Sequence, residues 1–354
     1  MNYYIVVVVQ QYYVIIRKVE ENMRDRRRLR TIKNRRRVRR QRALLLVAVV
    51  LILGVLGVSR LLKRNNLEDE QAIDAPEINQ EALQNPQHDS FESTIVTDNV
   101  NGIYDLKSDS PVYEKNTDKK VIPASLVKLF LIDYSLSIID AEESIYVSDE
   151  VSLVKPGSSL ANLNEGNYKH IDLIRAALIP SGNDAAYAIA VACGRNLGGD
   201  ELSAEDAVST FISNLNNYLM QNGYYNTHID EPSGFSNGSY TSYNDLLEVT
   251  KKLVNIPVIS EIFATKSYTY ELEDGSSLVW TNTNELMNPE SSLYNENISG
   301  IKTGSLDDVY NLISRYTING KDYLIFVLDA DDSDERFNET GKLIEELDQW
   351  LVNN

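Results

Sequence analysis

The chain has 354 residues, with 34 Lys and Arg against 52 Asp and Glu, a formal charge of −18 and a single cysteine. One cysteine forms no internal disulfide, and the acidic total does not describe both ends of the chain alike. The three histidines, His88, His170 and His228, have neither the spacing nor the cysteine partners of a metal site, so no metal and no cofactor is expected.

The net charge hides a split, because residues 1–66 hold 17 basic and 3 acidic side chains, net +14, which leaves −32 for the rest. The first 22 residues include the apolar, β-prone run Tyr3-Tyr4-Ile5-Val6-Val7-Val8-Val9, too short to span a bilayer as a helix. Met23 is therefore an alternative start, directly before the basic block 24–42. Residues 43–59 are 17 uncharged, mostly aliphatic positions, which at about 1.5 Å per residue nearly cross a bilayer core, and Leu61 and Leu62 lengthen them. The expectation is a basic cytoplasmic N-terminus over 1–42 and a single transmembrane signal anchor over 43–62, with the remainder exported. A cleavable signal peptide is the rival. It lacks a small-x-small site, and Arg60-Leu61-Leu62-Lys63-Arg64 is a poor place to cut. The arginine run beside such a span reads as an orientation signal touching anionic lipid, rather than as a nucleic-acid arm. Residues 63–93, acidic and poor in large apolar groups, read as a flexible spacer. Residues 94–354 suffice for one domain of mixed α/β pattern, without internal repeats.

Within that domain three short motifs stand in one order: Ser125-Leu126-Val127-Lys128, Ser181-Gly182-Asn183 and Lys302-Thr303-Gly304. They match the nucleophile, shuttle and carboxylate-clamp set of penicillin-interacting serine enzymes. Each alone is weak, and Ser152-Leu153-Val154-Lys155 repeats the first letter for letter. Context separates the copies. Ser125 follows Pro123-Ala124 and opens the apolar run 126–139, the first turn of a buried helix, whereas Pro156-Gly157 stops any helix after Ser152. Ser242-Tyr243-Asn244, a second copy of the Ser-x-Asn pattern, reads as an ordinary helix cap. Residues three apart on a helix are neighbours, so Lys128 can reach the Ser125 hydroxyl and act as its base if burial and a nearby cation such as Lys302 lower its proton affinity. Ser181 and Asn183 lead into an alanine-rich helix, offering a hydroxyl to relay protons and an amide to orient substrate. Ile298-Ser299-Gly300-Ile301 reads as the approach to an edge strand, where Lys302 and Thr303 hold a substrate carboxylate and Gly304 permits close approach.

With these motifs the chain resembles the low-molecular-mass penicillin-binding proteins of the serine D-alanyl-D-alanine carboxypeptidase family, peptidase family S11. Further segments carry the resemblance: Ile122-Pro123-Ala124-Ser125 after Val112-Tyr113-Glu114-Lys115-Asn116, and Ile179-Pro180-Ser181-Gly182-Asn183-Asp184-Ala185-Ala186. Residues 226–235 are similar to the family's Asn-Thr-x-Phe-x-Asn-Pro-x-Gly-Leu stretch. The resemblance implies an α+β fold of the β-lactamase/transpeptidase kind, an antiparallel sheet flanked by helices with an all-helical part and the site at their junction. It also implies an oxyanion hole from the backbone N–H groups of Ser125 and Ser305, peptidoglycan stem peptides ending in D-Ala-D-Ala as substrates, and β-lactam antibiotics as covalent inhibitors. Gly182 stands where the family commonly has Ala or Ser, a change expected to be harmless. The segment Ser305-Leu306-Asp307-Asp308-Val309-Tyr310 departs from the family's usual pattern, leaving the shape of the acceptor side open. After Gly304 the sequence reads as a strand over 321–328 and a closing helix, without the second domain and terminal membrane helix of many relatives.

Cys193, within Ala190-Val191-Ala192-Cys193, reads as a buried apolar residue, and His228 as a structural one. The leading activity is a carboxypeptidase that attacks the penultimate carbonyl with Ser125 and releases D-alanine. Transpeptidation is open, since water and an amine attack the same ester. A serine β-lactamase is the nearest rival, but Glu285-Leu286-Met287-Asn288 has the wrong spacing for the class A deacylating segment. A non-catalytic cell-wall binding protein would not need nucleophile and base together.

Overall fold

The computed structural model describes residues 90–354, so the calls on 1–42, 43–62 and most of 63–93, with His88, lie outside the described residues. Among the described residues no helix is long and apolar enough to cross a membrane. The chain enters along Phe91, which packs between Tyr113 and Trp350, and forms strands β1 (Val100–Asp105), β2 (Ser110–Lys115) and the short β3 (Lys120–Val121). A 3-10 turn, Ala124–Leu126, then runs into helix α1 (Val127–Ser135). Hairpin β4 (Ser144–Val147) and β5 (Gly166–Lys169) precedes α2 (His170–Leu178), α3 (Asn183–Gly198) and α4 (Ala204–Gln221). Next come β6 (Thr241–Ser242), α5 (Tyr243–Val254), α6 (Pro257–Ala264) and the hairpin β7 (Ser267–Glu271) and β8 (Ser277–Thr281). Strands β9 (Ile298–Leu306), β10 (Val309–Ile318) and β11 (Lys321–Ala330) and helix α7 (Ser333–Asn353) close the chain.

Five strands form one antiparallel sheet in the order β2-β1-β11-β10-β9, which puts β9 at an edge as the sequence suggests. Asn319 and Gly320, at φ of 52° and 71°, make the two-residue turn between β10 and β11, a geometry with both central residues left-handed that matches the twist of the flanking strands. Strand β11 is apolar and buried from Tyr323 to Leu328 because both its faces are covered there. Leu324, Phe326 and Leu328 join the core shared with α1 and the other helices, while Tyr323, Ile325 and Val327 meet Phe337, Leu343, Ile344 and Leu347 of α7.

Every residue of α1 is buried, so it is a core helix without a polar face. It ends at Ser135 rather than continuing to Ile139. The Ile138 and Ile139 amides both turn back to Ser135 O, so the apolar run stays in the core as a turn after the helix has stopped. At the α3–α4 crossing a Cβ on Gly194 would lie 2.0 Å from Ala207 O, so only glycine lets the two backbones approach this closely. Helix α5 begins as the cap reading requires, with Ser242 Oγ accepting from the Asp245 amide at 3.2 Å.

Candidate active site

The first motif is held on an unusual turn. Ala124 adopts φ +47°, a left-handed conformation that costs a non-glycine residue on the order of 1–2 kcal/mol and persists only where neighbours impose it. Three neighbours do so. Asn311 on β10 donates from Nδ2 to Ile122 O and Pro123 O at 3.0 and 3.1 Å, while its Oδ1 accepts from the Asp329 amide. Gly304 on β9 sits so near that a Cβ there would be 2.8 Å from Pro123 O. Gly234, at φ +83°, lies closest, for its Cβ would fall 1.9 Å from Ala124 O and 2.8 Å from Ser125 N.

Ser125 therefore stands partly exposed at the junction of the sheet edge and the helical part, one turn before Lys128. Lys128 is fully buried, and its Nζ contacts Ser125 Oγ at 2.9 Å, Asn183 Oδ1 at 2.8 Å and Ser233 O at 2.8 Å. Two of those partners are carbonyl oxygens, which only accept. A neutral amine has two N–H donors and one lone pair, so with both donors on Asn183 and Ser233 the lone pair faces the Ser125 hydroxyl. Burial depresses the Lys128 pKa from 10.5 to about 7, against the opposing pull of the Glu231 and Asp184 carboxylates. The group is thus neutral in a large fraction of molecules near neutrality and placed to take the serine proton.

The second motif enters through the start of α3. Ser181 also has a left-handed backbone, φ +62°, and is 5 % exposed. Its hydroxyl makes no hydrogen bond with another described residue, so of the second motif only Asn183 touches Lys128. Gly182 is less neutral than its family context suggests. A Cβ there would lie 2.7 Å from Ala176 O and 2.8 Å from Ala161 Cβ, so this chain's packing demands the glycine. Asp184, wholly buried, binds the amides of Ala161 and Leu163 at 2.9 and 3.1 Å and so fixes the loop beside the motif.

The third motif lies on β9. Lys302 is buried with Nζ on Thr303 O at 2.9 Å, and its pKa falls well below 10.5, first through burial and then through the Lys128 and Arg336 cations. Thr303 Oγ1 is 2.5 Å from Thr283 Oγ1. Ser305 is exposed, and its Oγ accepts from Arg336 Nη1 at 2.9 Å. Arg336 of α7, buried behind β9, also donates to Gly304 O at 2.9 Å and Asn311 O at 3.3 Å. Burial lowers its pKa to about 10, so it keeps its charge at neutrality. With no carboxylate bonded to Lys302 or to the charged Arg336, this face of β9 is complementary to an anion, whose arrival would also favour a protonated Lys302.

The duplicate motif is elsewhere in chemical terms. Ser152 falls within a 3-10 turn, Asp149–Leu153, which corrects the reading of no helical structure there. Ser152 and Lys155 are both exposed, and Lys155 Nζ reaches Phe235 O at 3.5 Å rather than the serine. Cys193 is fully buried, with its thiol pKa raised by burial. His170 is buried between Ile139 O and Ser135 Oγ, and His228 is exposed beside Tyr240. Among the described residues no cluster of His, Cys, Asp or Glu could hold a metal.

Glu231, Ser233, Gly234, Thr283, Asn311 and Arg336 were not among the residues the motifs picked out. The first three belong to the recognised 226–235 stretch and were within reach of that signal. Asn311 and Arg336 contact the site from 188 and 32 residues away, with no local pattern to mark them.

The family model described as D-alanyl-D-alanine carboxypeptidase matches residues 85–332. No curated protein matches the chain. Among solved structures, the DD-transpeptidase of Streptomyces K15 is similar with 25 % identity and a TM-score of 0.62, over 72 % of this chain and 98 % of that one. Penicillin-binding protein D2 of Listeria monocytogenes, in its cefotaxime-bound form, is similar with 25 % identity and a TM-score of 0.57, over 72 % and 99 %. With the antiparallel sheet, the helical part and the ordered motifs at their junction, the chain belongs to the serine D-alanyl-D-alanine carboxypeptidase family, peptidase family S11.

Proposed function

We propose that Ser125, Lys128, Ser181 and Asn183 carry out the chemistry, and that Lys302, Thr303, Gly304 and Ser305 bind substrate. The observation that carries this reading is Lys128 Nζ held on two carbonyl acceptors, Asn183 Oδ1 and Ser233 O, at 2.9 Å from Ser125 Oγ, so that as a neutral amine it turns its lone pair to the hydroxyl. Lys128 takes the Ser125 proton as Oγ bonds to the penultimate carbonyl carbon of a stem peptide ending in D-Ala-D-Ala. The Ser125 and Ser305 N–H groups receive the developing oxyanion. The proton passes through the Ser181 hydroxyl to the departing nitrogen, the C–N bond breaks, and D-alanine leaves. Water then attacks the ester, returns a proton to Ser125 Oγ and frees the shortened peptide.

Lys302 and Thr303 hold the terminal carboxylate on the cationic face of β9. An amine acceptor in place of water is the second reading, favoured by the likeness to a DD-transpeptidase. The likeness to a cefotaxime-bound protein supports β-lactams as covalent inhibitors at Ser125. The enzyme would work outside the membrane, single-pass on the 43–62 anchor, with its N-terminus in the cytoplasm and the 63–93 spacer reaching toward the wall.

Incubating the purified protein with a muropeptide ending in D-Ala-D-Ala and weighing the products tests this. Loss of one alanine is expected, abolished by Ser125→Ala and retained in Ser152→Ala. A cross-linked product that has likewise lost one D-alanine, in place of the shortened free peptide, would favour the amine acceptor, and turnover that survives Ser125→Ala would remove the assignment.

A further inference from the structure

The base has an acidic neighbour that the ordered motifs do not include. Glu231 opens a tight turn, and its two carboxylate oxygens hold that turn shut. Oε2 accepts from the Ser233 amide at 3.0 Å, from Ser233 Oγ at 2.7 Å and from Tyr187 OH at 3.2 Å, while Oε1 accepts from the Phe235 amide at 2.5 Å. The same turn presents Ser233 O to Lys128 Nζ at 2.8 Å and places Gly234 against the backbone of Ala124 and Ser125. One residue, Ser233, thus has its N–H on the carboxylate and its C=O on the base.

Resting on the reading of Lys128 as general base, we propose that Glu231 is a positioning residue with an electrostatic task. Its carboxylate clamps the turn that aims Lys128, and its charge stabilises the ammonium formed when Lys128 takes the Ser125 proton. The charges around Lys128 make this specific. From α3 comes Asp184, already bound to the Ala161 and Leu163 amides; from β9 comes the Lys302 amine, its own proton affinity lowered by burial, with the Arg336 cation behind it. The exposed Lys155 touches the turn at Phe235 O. Against the burial that strips its proton, Glu231 and Asp184 are the acids that favour protonated Lys128, and Glu231 is the larger influence. Removing its charge should therefore make Lys128 a weaker base that loses its proton at lower pH.

The test follows Lys128 directly and through its chemistry. In protein with 13C-labelled lysine, the Lys128 Cε resonance, assigned with Lys128→Met, is titrated by NMR. In parallel the rate of labelling by a fluorescent penicillin is measured against pH. Glu231→Gln should move the titration midpoint and the acid limb of labelling about one unit to lower pH, with a reduced plateau. Glu231→Asp keeps the charge while losing reach, so it should lower the plateau with both midpoints nearly in place. Should Glu231→Gln not melt cooperatively, the neutral Glu231→Asn is read the same way. Midpoints unmoved in the neutral variant, or moved equally by Glu231→Asp, would reduce Glu231 to a turn clamp and overturn the proposal. A Lys128 midpoint that moves in Glu231→Gln, with no labelling even of the wild type, would instead uphold Glu231's influence and sink the reading of the site.

Discussion

At the scale of single residues, Lys128 shows how function is set against stability. Its pKa falls from 10.5 to about 7 because burial disfavours the ammonium. Between those values the unfolded chain binds the proton and the native one does not, so stability rises with pH across the window. The destabilisation is fully present below about pH 7 and disappears above the unfolded value. Lys302 is depressed for the same reason, and the Lys128 cation lowers it further, so the two reinforce one another. Lys128→Met fills nearly the same volume without a charge. Its melting temperature relative to the wild type should be more favourable at pH 6 than at pH 10, while labelling by penicillin is lost. The comparison within each pH cancels the titration of other groups. A difference independent of pH would mean that Lys128 is not the strongly depressed amine described.

Among elements, the turns rather than the helices and strands decide the site. The helix after Ser125, the edge strand at Lys302 and the closing strand and helix were legible because each is written locally. A serine three residues before a lysine, a glycine beside it on an edge, and a run apolar on both faces are all patterns of near neighbours. The left-handed Ala124, the clamp at Glu231, the Asn311 staple and the Arg336 fork were not legible. Each depends on a partner brought close only by the completed fold, such as Ser233 at 105 positions from Lys128. Gly234 makes the point testable against Gly223. Both have left-handed φ, +83° and +91°, but a Cβ at 223 meets nothing within 4 Å, whereas one at 234 strikes Ala124 O. Gly223→Ala should cost about 1 kcal/mol and leave penicillin labelling intact. Gly234→Ala carries the same backbone cost and must also displace the nucleophile's turn, so labelling should fall at least tenfold. Equal labelling in the two variants would show that the close approach does not position Ser125.

For the whole molecule, the proposed role depends on where the catalytic domain works, and the charge split bears on that question. A chain with +14 in residues 1–66 and −32 beyond them has two ends suited to different sides of a membrane. Lys and Arg beside an apolar run stay on the cytoplasmic side, whereas acidic residues hardly influence orientation, so the proposed direction rests on the basic block 24–42. A cell-wall peptide is available only outside, which agrees with export of everything beyond Arg64. Protease added to intact, wall-stripped cells should therefore digest the catalytic domain and spare an epitope placed before Arg42. The membrane fraction should retain a fragment containing residues 43–62 after the domain has been cut away. An N-terminal epitope cleaved from outside, or a mature protein that begins beyond residue 59, would replace the retained anchor with another topology. The chemistry at Ser125 would stand in either case, because the contacts that build it all lie within the described 90–354.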